Sequence, residues 1–484
     1  MSSATDTATA TTVDHGATYS DLLIIQGAIV FFLQVGFVSL EVGYGRSKNV
    51  KNILLKNTVN ILLCAICWWA VGYAFSYGSS ADGFIGTSGF FHDGGLGAAK
   101  LWFYSWTFCL STVTIVSGCL AERTSLVAYP VFTVLMASWV HPVAVHWAWS
   151  RDSWLLGISS ECRFLDFAGG TVVHICGGLM GLVGAALVGP RIGRFEEGHA
   201  KELPGHDVSS VAIGTLFLWF GWFGFNCGSA YVYMGNMAAA AAEAAAEALA
   251  AGDASADVYA SAAAAVSAAV TSGASATLQP GSTPADRVAL NMTLCASVSG
   301  LTALLLSSLR SGTVDLCVCC NSLLAGLVMS TPACGFITSW AAVIYGLVAA
   351  ALYMGGTRML VRFHVDDPLE SSAIHFGCGG VGTLMLALLA RPTYVQELTG
   401  YDCGGLVYGG RKGAILLGLQ LLGIVSIAAW TGLFSVLVFY LLRRLGRLRV
   451  DQVTELAGLD NMEHGGPAYP EFNLVPYNTG SAER

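Results

Sequence analysis

Long apolar segments recur along nearly the whole chain, and they constrain its fold more than any other feature. Of its 484 residues, 54% are hydrophobic and only 11% are charged, whereas soluble domains carry about 25% charged residues. This composition excludes a water-soluble globular fold, and a β-barrel would instead show alternating segments of about ten residues. Runs long enough to cross about 30 Å of hydrocarbon lie at residues 21–44, 53–77, 101–121, 127–149, 167–189, 209–230, 288–308, 313–333, 336–356, 372–390 and 413–442.

These runs predict an all-α, polytopic membrane protein with eleven transmembrane helices, the last of them long. The eighth run is the weakest, because it contains Asp315 and Pro332. Loops after the odd-numbered runs hold 14 Lys and Arg residues, and loops after the even-numbered runs hold 7. Because basic residues favour the cytoplasmic side, we expect an extracellular N-terminal segment (1–20), a membrane domain (21–443) and a cytoplasmic tail (444–484).

An alanine-rich stretch follows the sixth run, with 20 alanines in the 33 positions of residues 238–270. Its four carboxylates would be costly at the centre of a bilayer. We therefore predict an extracellular loop insertion at 238–285, partly helical because alanine has the highest helix propensity. A lid over the outer entrance is an alternative interpretation of the same stretch.

Most of the fourteen cysteines lie inside the apolar runs, where cysteine behaves as a small hydrophobic residue. Only Cys162 and Cys403 fall in segments predicted outside the membrane. The sequence therefore allows at most one intrachain disulfide.

One short motif, Asp-x7-His-x3-Gly-x2-Gly, occurs twice, beginning at Asp166 and again at Asp367. The first copy opens the fifth run and the second opens the tenth, so the two helices cross the membrane in opposite directions. This spacing predicts an inverted repeat of runs 1–5 and 6–10, an architecture of many transporters.

The motif places His174 and His375 deep in the membrane, where ionisable residues are by default candidates for function. Each could instead be a hydrogen-bonded core histidine. A neutral imidazole offers one donor and one acceptor, so a pair suits a small neutral polar solute or a transferred proton. Two buried histidines could also ligate haem in a membrane redox protein.

Aromatic residues accompany these histidines in the third, fourth and sixth runs. Phe108, Trp149, Trp222 and Phe225 are compatible with ordinary membrane packing. Aromatic faces near an entrance also attract cations, and Ser229 adds a hydroxyl acceptor close by. The aromatics alone do not decide between these two interpretations.

Several segments together resemble the ammonium transporter (Amt/Mep/Rh) family. The resemblance runs in order from about residue 20 to 470, leaving out the alanine-rich insertion, and its tail is similar to plant-type members of the Amt branch. The segments that carry it are Asp166–His174, Gly221–Ser229, Ala121-Glu122-Arg123, Thr331–Gly335, Asp366-Asp367-Pro368 leading to His375, and residues 455–469.

The resemblance implies a homotrimer in the plasma membrane with one conduction path in each subunit. It implies ammonium or methylammonium as substrate, no enzymatic activity, no metal or other cofactor, and no nucleic-acid partner. The implied external ammonium site is Phe108, Trp149 and Ser229, the gate Phe108 and Phe225, and the pore His174, His375 and Trp222. The implied structural carboxylates are Asp166 and Asp367, and the implied regulatory tail residues are Gly458, Asp460, His464, Gly465 and Gly466.

The implied mechanism is recruitment of the ammonium ion, its deprotonation, and passage of ammonia through the histidine-lined pore, with or without a separate proton relay. Plant relatives carry a phosphorylated threonine where this chain has Met462, so we expect that switch to be absent. An ammonium sensor with little flux remains an alternative. A gas channel of the Rh branch is disfavoured, because the cation-recruiting set is present.

Overall fold

The computed structural model describes residues 15–92, 98–250 and 283–470, and each predicted run within them is helical. The first five runs form α1 (His15–Tyr44), α2 and α3 (Val50–Cys67 and Tyr73–Tyr77), α4 (Ala99–Cys119), α5 and α6 (Ala128–Leu135 and His141–Trp149) and α7 (Cys176–Val188). The next six form α8 (Val208–Ala250), α9 (Pro284–Ser311), α10 (Leu316–Ser330), α11 (Ser339–Arg362), α12 (Cys378–Leu389) and α14 (Arg411–Arg444). The short helices are α13 (Pro392–Thr399), α15 (Gln452–Ala457) and α16 (Leu459–Glu463).

Four π-helical turns interrupt or open these helices, and such turns are frequent at functional sites. Two of them hold the repeated histidines. The turns are Trp68–Gly72, Met136–Val140, Gly170–Ile175 before α7 and Ala373–Gly377 before α12. The remaining elements are the 3₁₀ turns Ser47–Asn49, Phe90–His92 and Leu406–Tyr408 and two antiparallel hairpins, β1 (Ser80–Ala81) with β2 (Ile85–Gly86) and β3 (Phe195–Glu196) with β4 (His199–Ala200).

In the described part of the chain, eight helices are long and apolar enough to cross a membrane, or nine if the pair bent by 109° at α12 and α13 counts as one. The chain is therefore a multi-pass membrane protein. α4 is not among these eight helices. α10 has 15 residues and so spans only about 22 Å. A count of eleven crossings stays a prediction.

α1 packs along α8 through closely approaching backbones. A Cβ atom at Gly36 of α1 would lie 2.7 Å from Leu218, and one at Gly214 of α8 would lie 2.6 Å from the Leu40 nitrogen. Small residues permit such close helix contacts in a membrane. These helices are the first members of the two predicted repeats.

α8 continues about twenty residues beyond the predicted end of the sixth run, because the alanine-rich stretch extends the same helix to Ala250. The sequence predicts partial helicity for this stretch, but it does not predict continuity with the sixth run. Glu243 is exposed on the extension and pairs with Arg151 at 3.0 Å. Residues 251–282 of the predicted insertion lie outside the described residues.

The disulfide that the sequence allows is present between Cys162 and Cys403. It joins the segment before the first histidine turn to the segment between α13 and α14. Glu161 and Arg411 form an ion pair beside it. Both segments therefore lie on one face of the membrane domain, called here the bridge face.

The other face, called here the tail face, is held by a buried network of ion pairs. Glu122 bonds to Arg46 (3.0 Å) and to Arg191, and Arg191 also bonds to Asp366 at 2.8 Å. Burial raises the pKa of each carboxyl, but the arginine charges outweigh it and hold the pKa of Glu122 and of Asp366 at about 2. This network ties the ends of α1, α4 and α7 to the loop before α12.

We expect stability to fall in acid because of this network. The folded pKa values lie below the unfolded values of about 4, so the stabilisation is complete above about pH 4.5 and is lost as the pH falls towards 2. Melting temperatures in detergent between pH 6 and pH 3 should fall less steeply for Glu122→Gln than for wild type. Asp402→Asn, which removes an exposed carboxylate, should keep the wild-type slope. Equal slopes for all three proteins would contradict this assignment.

A second ion pair is buried within the membrane domain, between Lys56 of α2 and Glu41 of α1 at 2.9 Å. The Lys56 ammonium also donates to the Ser117 hydroxyl (2.8 Å) and carbonyl (2.9 Å) and lies 4.9 Å from the centre of the Tyr129 ring. Asn57 donates to the same carboxylate at 2.9 Å. Both charges are therefore compensated without water.

Lys56→Ala should lower the free energy of unfolding by about 3–5 kcal/mol, because Glu41 would remain as an uncompensated buried charge. The double variant Glu41→Gln/Lys56→Met should recover most of that loss. Lys201→Ala removes an exposed ion pair with Glu196 and should cost less than about 1 kcal/mol. Unfolding in detergent micelles measures all three, and a Lys56→Ala cost as small as that of Lys201→Ala would refute the argument.

Candidate functional site

The turn that carries His174 is organised by one carboxylate. Asp166 accepts the backbone N–H groups of Gly169 (2.9 Å), Gly170 (2.6 Å) and Thr171 (2.7 Å), and also the Thr171 hydroxyl (2.5 Å). These donors open a helical segment and would otherwise be unpaired in the membrane. Asp166 therefore holds the turn in place without meeting the histidine itself.

Asp367 does the same for the second copy of the motif. Its carboxylate accepts the Ser372 N–H and hydroxyl, both at 2.7 Å, and the Cys119 thiol at 3.5 Å. The π-helical turn with His375 follows directly. Asp367 lies towards the tail face and Asp166 towards the bridge face, so the two carboxylates flank the histidines from opposite ends.

The two histidines meet in the interior of the protein. The Nδ1 atoms of His174 and His375 lie 3.2 Å apart, and their ring centres are 5.1 Å apart with planes inclined by 24°. When both rings are neutral, one Nδ1–H must donate and the other Nδ1 must accept. The outward Nε2 atoms are then one acceptor and one donor.

Glycine allows this meeting at two matching positions, each four residues after a histidine. A Cβ atom at Gly178 would collide with the Phe376 backbone nitrogen. One at Gly379 would lie 2.6 Å from the Gly170 oxygen and 2.8 Å from the His174 Cβ. Any larger residue would push the two histidine turns apart.

A column of aromatic rings leads from the bridge face to the histidines. Trp149 meets Phe108 edge-on (centroids 5.9 Å apart), and Phe108 stacks on Phe225 at 3.9 Å with 14° between the planes. Phe225 lies 6.0 Å from the His174 ring. Both phenyl rings are buried, and together they block the path from the bridge face to the histidines.

Ser229 lies one helical turn after Phe225. Its hydroxyl donates to the Phe225 carbonyl at 3.0 Å and lies 3.4 Å from the Tyr104 hydroxyl. Trp149 is held by its indole N–H, which donates to the Asp166 carbonyl at 2.8 Å. Ser229, Trp149 and Phe108 thus border the same end of the column.

Trp222 lies parallel to His174 at 5.6 Å, and its N–H donates to the Thr331 hydroxyl at 2.9 Å. The ring centres of Phe37 and His375 are 6.4 Å apart. The sequence did not predict the contacts of Thr331, Phe37 or Tyr104. The only sequence signal for Tyr104 is its position one helical turn before Phe108.

The predicted tail residues do not join this column but dock on the tail face. The Asp460 carboxylate accepts the Lys51 and Asn52 N–H groups (2.9 and 2.8 Å) in the first turn of α2. Asn52 also bonds to the His464 ring at 2.8 Å. The tail glycines adopt positive φ angles that favour glycine: Gly458 (+100°), Gly465 (+69°) and Gly466 (+120°).

The described part of the chain contains no cluster of three or more His, Cys, Asp or Glu side chains able to hold a metal ion. The fold and the column define a class: a helical, multi-pass membrane protein with aromatic rings and a pair of histidines in its interior.

Comparison with known proteins is more specific. The sequence profile of the Ammonium Transporter Family matches residues 22–282 and 264–469. Ammonium transporter 3 of Dictyostelium discoideum is 36% identical over 445 residues, covering 91% of each chain. Ammonium transporter 1 member 3 of Solanum lycopersicum is 35% identical over 469 residues, covering 92% of each chain.

Solved structures share the fold. One described as a sensor Amt protein has a TM-score of 0.76 and 28% identity, covering 93% of this chain and 99% of its own. The crystal structure of Candida albicans Mep2 has a TM-score of 0.72 and 24% identity, covering 91% of this chain and 88% of its own. The chain belongs to the ammonium transporter family, a family of transporters and not of enzymes.

Gly379→Ala should lower the free energy of unfolding by about 1–3 kcal/mol, because the added methyl overpacks the contact between the histidine turns. Gly377→Ala is the matched control, since a Cβ atom there meets nothing within 4 Å. Unfolding of both variants in detergent tests this. Because alanine has a higher helix propensity than glycine, Gly377→Ala should not be destabilising, and equal stability losses in the two variants would contradict the close-approach argument.

Proposed function

We propose that each subunit moves ammonium across the plasma membrane by recruiting the ion at the bridge face, deprotonating it, and passing ammonia between the paired histidines. The observation that carries this proposal is the contact of His174 with His375 directly behind the Phe108–Phe225 stack. Ammonium transport by the Dictyostelium discoideum and Solanum lycopersicum relatives supports it.

The external site in this proposal consists of Trp149, Phe108 and Ser229. Two aromatic faces attract a cation, and the Ser229 hydroxyl oxygen can accept a hydrogen bond from it. A cation–π contact contributes about 0.5–2 kcal/mol, far less than full hydration of an ion. The site can therefore concentrate ammonium but cannot carry the bare ion inward.

Loss of a proton converts the ammonium ion into neutral ammonia, which avoids the cost of dehydrating a cation. It also makes transport selective for ammonium over potassium. Potassium has a similar size and charge but has no proton to lose. The buried stack of Phe108 on Phe225, with ring centres 3.9 Å apart, excludes a hydrated cation while it is closed. When the two rings open, a neutral molecule can reach the histidines without a large desolvation cost, whereas a cation cannot.

The histidine pair then serves as the lining of the pore. The two Nε2 atoms are one donor and one acceptor, which matches ammonia, and the buried Nε2 of His174 has no protein partner in the described part of the chain. The Nδ1 contact also gives a route by which a proton can pass from one ring to the other. A proton crossing by this route would make transport electrogenic.

The proposed orientation places the bridge face outside and the tail in the cytoplasm, following the excess of basic loop residues on the tail side. The proposed assembly is a homotrimer, with the apolar outer surfaces in contact with neighbouring subunits or lipid. The docked segment from Gly458 to Gly466 is the proposed regulatory tail. Met462 is exposed on it and, as methionine, cannot be phosphorylated.

A sensor with little flux is the second candidate, favoured by the likeness to the sensor Amt protein. Its site and pore would be the same, so uptake in cells lacking their own ammonium transport distinguishes the two. A haem protein is disfavoured, because histidine rings bonded to each other leave no space for a porphyrin between them.

Substitutions in the pore and in the external site should affect ammonium uptake and selectivity over potassium in different ways. We expect His375→Ala and Ser229→Ala to reduce methylammonium uptake at least tenfold, and His174→Asp to admit potassium, since a carboxylate in a dry path attracts any cation. Currents and uptake recorded together measure both. His199→Ala, at an exposed histidine, is the control. Unchanged uptake and unchanged selectivity over potassium in all three variants would overturn the site assignment.

Trp149→Leu tests the external site separately. Loss of one cation–π contact should raise the half-saturating ammonium concentration by about two- to thirtyfold, with a smaller effect on the maximal rate. Trp69→Leu, at a tryptophan exposed elsewhere, should leave both constants unchanged. An unaltered half-saturating ammonium concentration for Trp149→Leu would show that Trp149 does not contribute to the external site.

A further inference from the structure

A second aromatic site lies outside the pore column, on the outer surface near the bridge face. It is a cavity of about 440 Å³ lined by Asp82, Phe84, Trp147, Trp154, Trp430 and Leu433, among others. This volume falls within the range of about 300–1,000 Å³ typical of ligand sites. No step of the proposed transport mechanism uses these residues.

The walls of this cavity include aromatic rings that contact one another. The Trp147 ring contacts those of Phe84 (5.4 Å), Trp154 (5.7 Å) and Trp430 (5.4 Å). The N–H of Trp147 donates to the Phe84 carbonyl at 2.8 Å, and that of Trp430 donates to the Val140 carbonyl at 3.2 Å. The N–H groups of these two indoles are therefore already bonded to the protein, and only their rings remain to contact a ligand.

One carboxylate faces this aromatic wall. Asp82 lies in the β1–β2 turn with φ of +49°, and the carbonyl of the next residue, Gly83, accepts the Trp154 backbone N–H at 3.1 Å. The Asp82 side chain is exposed and forms no ion pair with any residue of the described ranges. A carboxylate beside several aromatic faces is the arrangement that binds quaternary ammonium groups.

The cavity continues into an exposed apolar surface of α14. Leu433 of α14 is 63% exposed, and Val425, two turns earlier on the same helix, is 61% exposed. Asp82 and Trp154 lie in loops outside the predicted membrane runs, whereas Leu433 lies within the eleventh run. An occupant with a cationic head and apolar chains would match the cavity from end to end.

We infer that this cavity binds a phospholipid with a trimethylammonium headgroup, of the phosphatidylcholine class, from the leaflet at the bridge face. The headgroup cation lies against the tryptophan faces and the Asp82 carboxylate, and an acyl chain follows α14 past Leu433. A primary ammonium headgroup needs hydrogen-bond acceptors, of which the cavity offers one carboxylate. An anionic headgroup is repelled by that same carboxylate.

Native mass spectrometry of the full-length protein in detergent tests this, with phosphatidylcholine, phosphatidylethanolamine and phosphatidylglycerol of identical acyl chains. Wild type should bind phosphatidylcholine with an apparent Kd at least fivefold lower than the other two. Asp82→Asn and Trp154→Leu should reduce this preference to less than twofold, while Trp340→Leu, at an exposed tryptophan of α11, should retain it. Asparagine tolerates the positive φ at position 82, so this variant should fold and keep wild-type ammonium uptake.

Equal affinities of wild type for the three lipids would overturn the inference, as would a phosphatidylcholine preference retained by both cavity variants. Competition with phosphocholine, which has no acyl chains, separates a lipid from a small solute. Phosphocholine that displaced the lipid at equal concentration would overturn the lipid assignment. Because Asp82 and Trp154 lie outside the pore column, failure here leaves the transport proposal untouched, and the reverse also holds.

Discussion

The contact between His174 and His375 is the interaction on which the rest of the site depends. Two polar rings can meet in a membrane interior only if the helices that carry them approach closely, and Gly178 and Gly379 provide that approach. The helices must also start at the right depth, which Asp166 and Asp367 secure by accepting the first donors of each turn. The aromatic column is then aligned, because Phe225 packs directly on the His174 ring.

The same constraint, that polar groups in lipid need partners inside the protein, explains the other charged residues. Lys56 and Glu41 neutralise each other within the membrane domain. Glu122, Arg191 and Asp366 do so where helices end at the tail face, and the disulfide joins the loops of the opposite face. The tail face is thus held by ion pairs, and the bridge face by the disulfide and the ion pair beside it.

Much of the site could be predicted because its members repeat or sit at helical spacing. The duplicated Asp-x7-His-x3-Gly-x2-Gly motif alone indicates both histidines and both carboxylates. The roles of Tyr104, Thr331 and Phe37 could not be predicted, because each acts through a contact between helices distant in sequence. The helical continuation of α8 was also missed, since hydropathy marks where a membrane run ends and not where a helix ends.

The sequence by itself determined the class of fold, the positions of the membrane runs and the identity of the buried polar residues, because few charges are tolerated in lipid and their spacing is visible. Only the tertiary structure decided which rings stack, which tautomers the histidine pair requires, and where the tail docks. These depend on distances between side chains of helices that are far apart in sequence, set by backbone packing at glycines and by capping carboxylates. The cavity around Trp147 belongs to the same category, because its walls come from β1–β2, α6 and α14, which no local pattern connects.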